Sequence, residues 1–122
     1  MITLCSVESY TKVAKSTAFS FLCESVGEQP GMILQPALAP SEYLRDYQND
    51  RTDMTSEQKS YFLDACRREF RNRDFESTLQ AIIEISKTGA QVNLVSSHPV
   101  KDSHLLVIAE ELRKQGQTFE IV

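Results

Sequence analysis

The last quarter of the chain places the tightest limit on its fold. A strand-like run from Gln91 to Ser96, with Val92-Asn93-Leu94-Val95 at its centre, leads into a polar loop, Ser96 to His104. Leu105, Ile108, Ala109 and Leu112 then mark one face of a helix that stops at Gly116, and Thr118-Phe119-Glu120-Ile121-Val122 forms a second β-favouring run. Strand, helix and strand within about 30 residues make a βαβ unit, and such crossovers join parallel strands. Parallel strands need cover on both faces, so the expected class is α/β: a mostly parallel sheet of about four strands flanked by helices. With 122 residues the chain suffices for one core, and a single domain over 1–122 is expected.

The earlier segments fit this plan. Residues 2–5 and 18–23 read as strands on Ile2, Thr3, Leu4, Phe19, Phe21 and Leu22. Ser9 to Lys15, with Tyr10, Val13 and Ala14, suits a helix or an irregular crossover equally. Gly27, Pro30, Gly31, Pro36 and Pro40 punctuate Val26 to Pro40, predicting a loop with regular structure only at Met32-Ile33-Leu34. A structureless stretch of that length is usually functional or disordered. Ser41 is a candidate N-cap for a helix to about Gln48, followed by a polar surface connection, Asn49 to Asp53. Thr55-Ser56-Glu57-Gln58 fits a capping box opening a helix to about Arg71, with Tyr61, Phe62, Ala65, Cys66 and Phe70 as its apolar stripe. Asp74 is the expected cap of the next helix, whose apolar face carries Phe75, Leu79, Ile82 and Ile83 and whose stop is Gly89.

Composition excludes several classes. A net charge of −4 disfavours nucleic acid as a partner, since backbone binding needs a positive excess. Apolar runs of a few residues are far below the roughly 20 that span a bilayer, so no membrane association is expected. The N-terminus lacks the features of a secretory signal. Three cysteines at wide spacing, with no Cys-x-x-Cys pair, predict reduced thiols, no metal and a cytoplasmic protein, and no cofactor motif is present. Cys66 falls on the apolar stripe and reads as a small hydrophobe; Cys5 and Cys23 read as inert buried thiols.

The candidate site is the loop after the fourth-quarter strand, because α/β proteins bind ligands at the carboxyl ends of their strands. Ser96, Ser97, His98, Lys101, Ser103 and His104, joined by Ser6 at the end of the first strand, supply hydroxyls, imidazoles, an ammonium and the free amides of a helix N-terminus, a set suited to a small anionic ligand, nucleotides included. A plainer reading has Asp102 or Ser103 capping the helix while Pro99 shapes the turn. His98 and His104 stand six residues apart with no Gly-x-Ser-x-Gly elbow, so an enzyme would have to pair one of them with a distant carboxylate such as Glu8 or Glu24; no reaction is specified. Arg67, Arg68 and Arg71, with Arg73, form the one basic cluster and are candidates for contact with an acidic partner. Asp64 offers the competing intrahelical pairing with Arg67 or Arg68. Tyr43 and Tyr47, four apart, suit stacking on a base, a partner's groove or the rim of the core.

The order of elements and several short strings resemble the domain-of-unknown-function 488 family, above all its short phage-encoded members. The strings are Cys5-Ser6-Val7-Glu8-Ser9-Tyr10 after the first strand, Leu38-Ala39-Pro40, and Val107-Ile108-Ala109-Glu110-Glu111-Leu112 in the last helix. The resemblance spans the chain and implies the same α/β fold. In that family the loop reads Cys-x-Glu and then Cys-His-Arg, where this chain has Ser96-Ser97-His98 and Ser103-His104-Leu105, so the thiol, acid and guanidinium are replaced and only His104 is kept in kind. A serine hydroxyl is not ionised at neutral pH, and the family's cysteine chemistry is not expected here. Two readings follow: an accessory protein of the phage type that binds a small anionic ligand, or a non-catalytic inhibitor or adaptor, for example in anti-defence, that binds a host protein.

Overall fold

Val92, Leu94 and Val95 have no neighbour in sequence that could shield them, and the fold buries them by making their strand the centre of the sheet. The computed structural model describes residues 1–12 and 18–122. Five strands lie in the order β3-β2-β4-β1-β5: β1 (Ile2–Ser6), β2 (Phe19–Leu22), β3 (Ile33–Leu34), β4 (Val92–Ser96) and β5 (Phe119–Ile121). Every pairing is parallel, with Ile2 opposite Val92, Ser6 opposite Ser96 and Leu22 opposite Val95. Four helices are described: α1 (Glu42–Asn49), α2 (Ser56–Glu69), α3 (Arg73–Lys87) and α4 (Leu105–Lys114). None is long and apolar enough to cross a membrane.

Alternation along the strands divides the sheet's two faces. Ile2, Leu4, Phe21, Val92 and Leu94 join the main core with Phe62, Leu79, Ile83, Leu105 and Ile108 from the helices. On the other face Cys5, Leu22 and Val95 form a smaller cluster with Val7, Tyr10, Met32 and Leu34 against it. Beside that cluster runs a polar row, buried at Thr3, Ser20 and Asn93 and half-buried at Tyr10 and Gln91. Tyr10 donates to Ser20 Oγ (2.9 Å), Asn93 Nδ2 to the same oxygen (3.2 Å), and Gln91 Nε2 to Asn93 Oδ1 and Thr3 Oγ1 (both 2.9 Å). A satisfied buried network tolerates one pairing only, so this row helps fix the register.

Several expectations change in detail. The sheet has five strands rather than about four, and is wholly parallel, because Ile33-Leu34 pairs with β2 after a turn at Gly31 (φ +77°). The rest of the Val26 to Pro40 loop is anchored by the single-turn 3-10 helix Pro36–Leu38, whose Leu38 is buried. Ser41 and the Thr55–Gln58 capping box act as expected. Helix α3 begins two residues earlier than Asp74 predicts: Asn72 is the cap, its Oδ1 accepting from Phe75 N (2.9 Å), and Asp74 sits in the first turn, where a carboxylate favours the dipole. Tyr10–Lys12 is a 3-10 turn; the remainder of the pattern reaching Lys15 lies outside the described residues.

Candidate functional site

Because β1 and β2 flank β4 and run in its direction, their carboxyl ends meet. Val7 N donates to Ser96 O and Cys23 N to Val95 O (both 2.8 Å), which sets Ser6, Glu24 and Ser96 side by side at the carboxyl end of the sheet. The expected convergence of the early serine with the β4–α4 loop is therefore observed. What the hydroxyls do there is local. Ser6 Oγ serves Ser9, accepting from its N–H (3.2 Å), and Ser96 Oγ donates to His98 O (2.6 Å). Glu24, 6% exposed, accepts from Ser97 N (2.9 Å) and holds the start of the loop onto β2.

Ser103 and His104 turn inward. Ser103 Oγ donates to Val100 O (3.2 Å) and accepts from Leu105 N (3.1 Å), so it caps the turn into α4, while Asp102 makes an ion pair instead. His104 is 1% exposed, and its Nε2 lies 2.6 Å from the Cys23 carbonyl. A carbonyl only accepts, so the proton is on Nε2 and Nδ1 is the bare nitrogen, which has no partner among the described residues. Burial holds this imidazole below its usual range, against the opposing effects of the Glu24 charge and the Cys23 carbonyl. The three thiols are buried too: Cys5 is pushed up to about 11 and Cys66 to about 12 by desolvation, and Cys23 is raised further by burial and the Glu24 charge. None is a thiolate at neutral pH.

The other half of the loop faces outward. His98, Pro99, Lys101 and Asp102 form one wall of a cleft of about 390 Å³, and Arg51, Thr52, Asp53 and Met54, from the link between α1 and α2, form the other. That volume is within the range of small-molecule sites. Three ties join the loop to the helices that flank the other wall: His98 Nε2 to Asn49 Oδ1 (2.8 Å), Gln48 Nε2 donating to Asp102 O, and Lys59 to Asp102 Oδ1 (3.7 Å). Among the described residues neither Arg51 nor Lys101 is in an ion pair. Asp102 is answered by Lys59, so Asp53 is the one acid of the cleft set against two free cations.

Of the seven expected ligand residues, Ser6, Ser96, Ser103 and His104 are buried and Ser97, His98 and Lys101 reach the surface. Arg51 and Thr52 were read from sequence as mere connection; the available signal was the spacing of Arg51 four after Tyr47, which places the guanidinium over that ring. On the opposite flank, Arg67 is committed to Glu110 (2.6 and 2.8 Å) and to Asp64, tying α2 to α4, whereas Arg68 and Arg71 are exposed. No group of three or more possible metal ligands occurs among the described residues. The chain matches no protein-family model, no curated protein and no solved structure.

Proposed function

We propose that this chain is an accessory protein of the phage type that binds a small anionic ligand of the nucleotide kind in the cleft between the β4–α4 loop and the α1–α2 link. The observation that carries the reading is the meeting of Arg51, His98 and Lys101 from two pinned walls, with both permanent cations free of carboxylate partners. Anions are attracted to such a cleft, and pinned walls lower the ordering cost of binding. The raised thiols argue for binding without cysteine chemistry. Isothermal titration with nucleoside mono-, di- and triphosphates tests this. Saturable heat that falls about tenfold in affinity in Lys101→Ala, by loss of one charged contact, is the expected result. Absence of heat with every nucleotide, or equal affinity in Lys101→Ala, overturns it.

A second reading, an adaptor that binds a host protein, has its own support. Ile33 on the edge strand β3 is 56% exposed and Val26, in the loop after β2, is 61% exposed, and Arg68 and Arg71 are exposed at the end of α2. Exposed apolar side chains at a strand edge favour association. A stoichiometric partner captured from host lysate, lost on charge reversal at Arg68 and Arg71 and kept in Lys101→Ala, selects this reading over ligand binding.

A further inference from the structure

The unusual group in the cleft is Arg51. Its guanidinium carbon lies 3.6 Å from the centroid of the Tyr47 ring, and its Nη1 donates to Tyr47 O (2.9 Å). Stacking fixes the plane and the hydrogen bond fixes rotation within it, so the side chain is a held flat surface rather than a swinging charge. Tyr47 is itself braced: the Tyr61 ring lies 5.0 Å away at 51°, and the Tyr61 and Tyr43 hydroxyls are 3.4 Å apart. Arg51 lines the cleft while Tyr47 does not, and the ring covers one face of the guanidinium, leaving the opposite face uncovered by it.

A guanidinium meant for phosphate presents its N–H edge, free to fork onto two oxygens. Here part of that edge is held by the Tyr47 carbonyl, and the broad face away from the ring is the larger surface left unused by Tyr47. Broad cationic faces backed by an aromatic ring suit a nucleobase, every one of which has a π-face. Lys101, on the facing wall, remains for the anionic end, while His98 is held by Asn49 (2.8 Å).

We propose that the Arg51 face, stacked on Tyr47, is the platform for the base of a nucleotide whose phosphate is taken by Lys101 across the cleft. This rests on the anionic-ligand reading above and adds to it the second half of the ligand. Base recognition of this kind depends on a plane rather than on hydrogen-bond pattern, so purines exceed pyrimidines through larger overlap and the identity of the base matters little otherwise.

The test compares AMP with ribose 5-phosphate, which has the same sugar and phosphate and no base, by calorimetric titration of the full chain. AMP is expected to bind about tenfold tighter, the scale of one stacked base. Arg51→Lys keeps the charge and removes the plane: it should bring AMP down to the affinity of ribose 5-phosphate and leave ribose 5-phosphate unchanged, while Lys101→Ala weakens both. Tyr47→Leu should act as Arg51→Lys does, and Arg51→Lys carries the test if the tyrosine variant does not fold. Equal affinity for the two ligands, or equal losses in Arg51→Lys, overturns the platform and leaves the anion site standing. Failure of wild-type protein to bind either ligand removes the anion site, and the platform with it.

Discussion

Ser103 and His104 have almost no contact with solvent, and the Ser103 hydroxyl and His104 Nε2 are bonded to the chain that surrounds them, whereas Lys101, two residues earlier, is exposed and free of any carboxylate partner. Both halves come from one loop and both are polar. The difference lies in where the hydrogen bonds go: a donor already used by Val100 or Cys23 holds the loop, and one left open is available to a ligand. Truncation should separate the two. His104→Ala removes a buried ring and its bond to Cys23 O, and should cost about 2–4 kcal/mol in urea unfolding, judged from buried large-to-small changes. Its ligand affinity per folded molecule should stay within about twofold, while Lys101→Ala, a surface change, should move stability by less than about 0.5 kcal/mol and act on affinity. If His104→Ala leaves stability intact, the inward half of the loop is not what holds it.

Acid sharpens the same contrast. Burial lowers the His104 pKa in the folded state, so below the ordinary histidine value of about 6.5 the unfolded chain binds a proton that the folded chain resists. More protons on the unfolded side mean that stability rises with pH there. The His104 contribution is therefore fully present above about pH 6.5 and is lost as pH falls below it, at no more than about 1.4 kcal/mol per pH unit. His104→Gln, which keeps an N–H for Cys23 O and cannot titrate, should flatten that slope between pH 7 and pH 5. A slope equal in the two proteins would mean that His104 is not a buried neutral group.

The βαβ unit at the C-terminus was legible because Val92 to Val95 and Leu105 to Leu112 carry their periods openly, and Ser41 and Thr55 were legible because capping is decided within one turn. Strand β3 was only half legible: Ile33 and Leu34 are a strand through pairing with Phe21 and Leu22, a long-range contact that leaves no local period. The cap at Asn72 was missed in favour of Asp74 since both are good caps two residues apart, and packing of Phe75 against Phe70 (ring centroids 4.5 Å, 5° between planes) accompanies the earlier start. In the site, composition gave the polar loop correctly but not its orientation. Ser96 and Ser97 are the same letter, and only the sheet register shows that the first is buried at the β1–β4 seam and the second stands clear of it. Arg51 escaped because its partner ring and its cleft belong to different elements.

A smaller effect is expected on the basic flank, where the same rule applies to two neighbours. Arg67 is a third exposed and holds Glu110 through two hydrogen bonds, with Asp64 as well; Arg68 has no carboxylate partner among the described residues. Charge-assisted bidentate pairs exceed ordinary surface pairs, but solvent screening at this exposure limits the gain. Arg67→Ala should cost about 1 kcal/mol and Arg68→Ala less than half of that. A double-mutant cycle between Arg67 and Glu110 measures the coupling, and a value near zero would mean that α2 and α4 are held by apolar packing alone.

The smallest expected change tests the border between the two halves. Ser97 is exposed, and it is its backbone N–H, not its hydroxyl, that donates to Glu24. Ser97→Ala keeps that N–H, so stability should change by less than about 0.5 kcal/mol. If the ligand lies wholly in the Arg51–Lys101 cleft, AMP affinity should also stay within about twofold, the effect of an unused surface hydroxyl. A tenfold loss of AMP affinity with unchanged stability would show that the ligand reaches past His98 to the strand ends. The seam where Ser6 meets Ser96 would then belong to the site, and Glu24 would border an anion instead of only anchoring the loop.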